Sequence, residues 1–149
     1  MKFSLFFLTA SALAAPKQQR RDVNADVRDL PIVREGSALL LDGKEWKAVG
    51  PNAYWLGLDE NGTPPQVGYP TKGRITEIMA TVKALGGTAI RAHTLGVSAG
   101  HALSVMPSAG QVNEKAFDTI DWAVYQAREY GLRLLVPLTD NWVRWARSL

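Results

Sequence analysis

The 149 residues include no cysteine. No disulfide can staple this chain, so its stability must come from a sizeable apolar core. Histidine is scarce: His93 and His101 are the two present, and they lack the spacing of a metal-ligand pair. No metal and no cofactor are expected. A G-x-G-x-x-G turn is missing after the first strand-like run, where the chain reads VGPNAYWLG, which argues against a dinucleotide-binding fold. A charge excess is missing as well, once the leader is set apart. Residues 1–21 carry Lys2, Lys17, Arg20 and Arg21 and no acids, and the remainder holds 13 basic against 14 acidic residues, a net charge of −1. The basic balance of the whole chain therefore gives no reason to expect nucleic acid or a membrane surface as partner. No internal repeat and no low-complexity tract is found.

What is present begins with a leader. MKFSLFFLTASALAAP has a basic start at Lys2, an apolar run from Phe3 to Leu8, and small residues at Ala12 and Ala14. That order predicts a secretory signal peptide cleaved after Ala14, and hence an extracellular protein. The apolar run is too short to span a bilayer. The pair Arg20-Arg21 reads either as a propeptide processing site or as a solvated basic patch. Residues 1–14 are thus assigned to a signal peptide, 15–36 to a propeptide or N-terminal arm, and 37–149 to the folded part.

In that part, Asp42-Gly43 between two strand-like runs predicts a two-residue hairpin, because a type I′ turn needs positive φ. The second run continues through WKAVGPNAYWLGL. After a Gly/Pro-rich loop, Ile75, Ile78, Met79, Val82 and Leu85 recur on one helical face, with Thr71 as N-cap and Gly86 as stop. A strand around Arg91 follows, then a second long loop. A second helix comes next, with Asn113 as N-cap, Phe117, Ile120, Val124 and Ala127 on its face, and Gly131 at its end. LRLLVPLTDN reads as another strand. The order is a β-hairpin and then βαβαβ, an α/β chain with parallel pairing and right-handed crossovers. A doubly wound sheet and the start of a (β/α)8 barrel both fit. Long strand-to-helix loops and short helix-to-strand loops favour the barrel.

Four ordered features carry a resemblance: a hairpin with D-G-K, a first strand ending N-x-Y-W, a second strand carrying Arg91, and a third ending N-W. Together, across residues 37–142, they resemble the opening of secreted fungal glycoside hydrolases of family 5, of the endo-β-1,4-mannanase kind. The resemblance implies the N-terminal part of a (β/α)8 barrel, incomplete here. It also implies retaining hydrolysis of a β-linked polysaccharide, mannan or glucan, as partner.

It further implies that Arg91 supports the glutamate nucleophile. A nearby cation keeps such a carboxylate ionised; the plainer alternative is a guanidinium reaching solvent at the strand end. Tyr54 and Trp55 are candidates for a sugar platform or for core packing. His93 lies on the same side of its strand as Arg91 and is a candidate for substrate contact or for a structural role. Asn141 and Trp142 match the third-strand ending and are candidates to line the cleft. Trp46, Trp122 and Tyr125 read as packing residues.

A retaining glycosidase needs two carboxylates roughly 5–5.5 Å apart. Asp59, Glu60 and Asp140 are the nearby acids, and adjacent Asp59 and Glu60 read as ordinary solvated charges. The resemblance places the acid/base after a fourth strand and the nucleophile after a seventh, and neither corresponds to a residue here. The expectation is a truncated chain that does not itself catalyse. A non-catalytic glycan-binding fragment, a cellulase-type family 5 enzyme and an unrelated secreted α/β domain are the alternatives. The geometry expected is three parallel strands with both helices on one face, and Arg91, His93, Tyr54 and Asn141 near the strands' C-terminal ends.

Overall fold

The structure is a computed structural model and describes residues 26–61, 66–96, 101–108 and 110–138. Signal-peptide and processing positions, and Asp140, Asn141 and Trp142, lie outside the described residues.

The N-terminal part is a three-stranded antiparallel meander of β1 (Val33–Glu35), β2 (Ala38–Leu41) and β3 (Lys44–Glu45). Asp42 and Gly43 both take positive φ, 52° and 72°, as the type I′ turn demands. The first hairpin was less legible: β1 falls within the residues read as an arm, and its turn uses Gly36 at φ 59°.

Residues 49–53 run beside β4 (Ala89–Arg91) without forming a regular strand. Pro51 has no N–H to donate, which interrupts the ladder. The carbonyls still pair: Val49 O accepts from Thr88 and Ala89 N–H, Pro51 O accepts from Arg91 N–H, and Ala53 N–H donates to Arg91 O. On the other side β4 pairs in parallel with β5 (Arg133–Leu135), in the register Ile90 to Leu134. Three chain segments therefore lie side by side with β4 in the centre, in sequence order.

The helices are α1 (Lys72–Ala84) and α2 (Phe117–Glu129). Thr71 caps α1 as expected, its hydroxyl accepting from Arg74 N–H at 3.2 Å. Gly86 and Gly131 close the helices at positive φ. Asn113 does not cap α2. A 3-10 turn, Glu114–Ala116, precedes the helix, and the Asn113 amide is used elsewhere. Ile75, Met79 and Val82 are buried, whereas Leu85 is 82% exposed because α1 ends at Ala84. In α2 the buried stripe is Thr119, Ala123, Gln126 and Ala127, and Val124 is turned outward. Small residues at 123 and 127 let α2 approach α1 closely.

Both helices feed one core cluster with Ile90 and Ala92, alternate residues on one face of the central strand. The indole of Trp122 donates to Lys72 O at 3.1 Å, and the Lys72 ammonium sits 4.7 Å over its ring, which joins the two helices. Trp122 thus packs between helices as the sequence implied. The architecture is a partial α/β layer, with helices on one side of three parallel segments. No helix among the described residues is long and apolar enough to cross a membrane.

Residues 26–30 are not loose. Asp26 caps a 3-10 turn, Val27–Asp29. Arg128 on α2 grips Asp29 with two parallel bonds of 2.7 and 2.9 Å. Arg133 donates to the carbonyls of Val27 and Leu30. Hydrogen bonding from Arg28 holds the Asp26 carboxyl at about 2, and bonding from Arg128 lowers that of Asp29 below the usual carboxylate range.

Candidate functional site

Ala89 and Arg91 project to the face of β4 opposite Ile90 and Ala92, away from the helices. Asn52 bridges to Arg91 in parallel register, so the two side chains are neighbours on that face. The exposed Arg91 guanidinium donates through Nη1 to Asn52 Oδ1 at 3.0 Å. It faces a neutral amide at the strand end. Asp140, the nearby acid named from the sequence, lies outside the described residues.

Beyond this pair both segments coil into 3-10 turns, Tyr54–Leu56 and His93–Leu95. Thr94, buried, fastens one to the other. Its hydroxyl donates to the Tyr54 carbonyl and accepts from Gly57 N–H at 3.0 Å. Gly57 is required here, because a Cβ would overlap the Thr94 carbonyl. The fastening sets the Tyr54 and His93 rings face to face, with centroids 5.9 Å apart and planes inclined by 17°. His93 Nε2 lies 4.0 Å from Glu60 Oε2, an ion pair when the imidazole is protonated.

Arg91, Tyr54 and His93 are therefore brought together at the C-terminal ends of two parallel segments. Trp55 is not with them. One residue on from Tyr54, it is turned to the helix side, where it packs against the core with the Arg74 guanidinium 3.9 Å over its ring. Asp59 corrects another expectation. It is buried rather than solvated, because Arg74 Nη1 meets its Oδ2 at 2.5 Å and its backbone pairs with Gly68. His101 serves its own loop, Nδ1 accepting from Leu103 N–H at 3.1 Å. Among the described residues no group of three His, Asp or Glu could hold a metal ion.

This chain is similar to plant mannan endo-1,4-β-mannosidases. It is 32% identical over 132 residues to mannan endo-1,4-beta-mannosidase 2 of Oryza sativa subsp. japonica, covering 82% of this chain and 28% of that protein. With mannan endo-1,4-beta-mannosidase 1 of the same organism it shares 31% over 124 residues, 76% of this chain and 27% of the other. Against mannan endo-1,4-beta-mannosidase 3 of Arabidopsis thaliana the identity is 25% over 157 residues, 99% of this chain and 36% of that protein. The chain spans about a third of the length of these curated relatives. No protein-family model matches it.

Sequence reasoning missed Asn52 and Thr94. Asn52 was visible as the first residue of N-x-Y-W, and its place two residues before Tyr54 puts both on one strand face. Thr94 had no signal, since its role exists only where two turns meet. Tyr69 was also overlooked. Its hydroxyl donates to Leu103 O at 2.9 Å and accepts from the Asn113 amide at 3.0 Å, which ties the two strand-to-helix loops together.

Proposed function

We propose that this chain supplies the opening β/α units of a secreted, retaining family 5 glycoside hydrolase, a (β/α)8 barrel acting on β-1,4-mannan. One observation carries the reading. The four residues Asn52, Tyr54, Arg91 and His93 stand together at the C-terminal end of parallel segments, where barrel enzymes bind substrate. The names of the relatives support the polymer.

In this reading the stacked Tyr54 and His93 form a wall for one sugar ring. Their apolar faces meet pyranose C–H groups, and the phenol and imidazole edges meet hydroxyls. Glu60 holds the imidazole from the side. Arg91 presents a fixed cation toward the position of the nucleophilic glutamate and lowers that glutamate's pKa; Asn52 aims it. Asn141 and Trp142 belong to the same cleft by sequence position. Trp55 acts from behind, by packing. Neither catalytic carboxylate of a retaining pair is assigned to these 149 residues, so they bind mannan without cleaving it. Secretion requires removal of residues 1–14, and the mature protein starts at Ala15 or, after Arg20-Arg21 processing, at Asp22.

The test is co-sedimentation of the chain with insoluble mannan and with cellulose, followed by measurement of released reducing ends. Retention on mannan that is weakened by Tyr54→Ala, without reducing ends, is expected. Equal retention on both polymers, or none on either, would oppose the mannan reading. Release of reducing ends that is lost on Arg91→Ala would show that the chain carries its own carboxylates.

A further inference from the structure

Arg74 stands in the first turn of α1, behind the sheet, yet it reaches both chain segments that flank His93. Its Nη1 lies 2.5 Å from Asp59 Oδ2, and its guanidinium carbon lies 3.9 Å from the centre of the Trp55 ring. Asp59 is the more enclosed partner, with a side chain 13% exposed against 45% for Arg74. The carboxylate also accepts Asn61 N–H at 3.2 Å, and the Asp59 backbone exchanges two bonds with Gly68, at 2.8 and 3.2 Å. Trp55 follows Tyr54 directly, and Asp59 precedes Glu60. One guanidinium therefore anchors the residues next to both neighbours of His93.

We propose that Arg74 is a positioning residue, holding Tyr54 and Glu60 on either side of His93 so that the sugar-facing wall is preformed. Arginine suits the task for two reasons. Its flat guanidinium can lie on the indole while its edge binds the carboxylate, and both contacts leave its charge satisfied. Lysine could keep the ion pair but not the stacking. A preformed wall spares the ordering cost that a mobile one would impose on ligand binding. Only the purpose of the wall rests on the glycan reading; its geometry can be tested without sugar.

The chain has two histidines, which makes the readout simple. His93 ring protons lie beside the Tyr54 ring and carry its ring-current shift, whereas His101 sits in a separate loop and serves as control. Arg74→Met should move the His93 ring-proton resonances toward free-histidine values and leave those of His101 in place. Arg74→Lys should give an intermediate displacement. Should Arg74→Met fail to fold, near-isosteric Asp59→Asn is the second variant, and it should displace His93 in the same direction. A folded variant whose His93 signals coincide with the wild type would overturn the proposal. Equal displacement of both histidines would overturn it too, because that reports a general loosening. If mannohexaose fails to perturb wild-type His93 while these shifts hold, the glycan reading falls and the positioning role stands.

Discussion

Gly50 gives the sharpest handle on the parallel arrangement. A Cβ there would overlap the Ala89 carbonyl, a backbone group in the central strand that cannot swing aside. Gly50 lies between Val49 and Pro51, whose carbonyls accept the N–H groups of Thr88, Ala89 and Arg91 at 2.8–3.1 Å. Gly50→Ala must push residues 49–53 off β4. Forcing a methyl into such a contact costs about 1–3 kcal/mol. Loosening two of the hydrogen bonds adds about 1 kcal/mol each. A loss of about 3 kcal/mol is then expected, a large share of the roughly 5–15 kcal/mol that holds a domain together. With a urea slope of about 2 kcal/mol/M, the unfolding midpoint should fall by about 1.5 M.

Gly73→Ala is the matched control. Gly73 is helical, and a Cβ there meets nothing within 4 Å. Relief of a helical glycine should raise stability by about 0.5–1 kcal/mol. Circular dichroism through a urea series measures both variants. A Gly50→Ala midpoint at or above that of the wild type would refute the close approach of residues 49–53 to β4.

Other outcomes follow from the same structure. Met79, fully buried between the helices and the sheet, should cost about 2–5 kcal/mol on replacement by alanine, read from the same urea series. The Asp29 carboxyl, lowered by its bond from Arg128, favours a docked arm above its unfolded value of 3.8, and that contribution is lost as pH falls below it; Asp26, held at about 2 by Arg28, steadies the arm's own turn in the same way. Protection of the amides of residues 27–30, taken relative to intrinsic exchange at each pH, should therefore fall below about pH 4 and with added salt, and unchanged protection would count against the Arg128–Asp29 latch. Leu135, Val136 and Leu138 leave apolar surface at the edge of β5, with Leu138 86% exposed. Leu138→Lys should reduce aggregation by light scattering without lowering the urea midpoint.

The helices were readable because their signals are local. Period 3.6 marked Ile75, Met79 and Val82, and the stops at Gly86 and Gly131 need only a positive φ. Val124 misled because hydrophobicity does not reveal which side of α2 meets α1; close helix approach selected the smaller Ala123 and Ala127 instead. Asn113 has the right chemistry for a cap, but a tertiary partner, Tyr69, claims its amide. At the site, strand alternation suggested grouping Arg91 with His93, but β4 ends at Arg91 and His93 opens a 3-10 turn, so its ring is set by the turn that Thr94 fastens to Tyr54. It could not place Trp55 and Asp59 on the helix side, since that depends on Arg74 crossing from α1 to meet them. Glu60 likewise reaches His93 through a loop fold that no spacing encodes.

The measurement that bears most directly on the proposed function is a titration of the chain with β-1,4-mannohexaose, followed through the side-chain resonances of Tyr54 and His93. Saturable shifts at both rings are expected, with weaker effects from cellohexaose and loss of binding in Tyr54→Ala. Resonances that stay fixed up to saturating sugar, or shifts confined to residues away from Asn52, Tyr54, Arg91 and His93, would contradict the account.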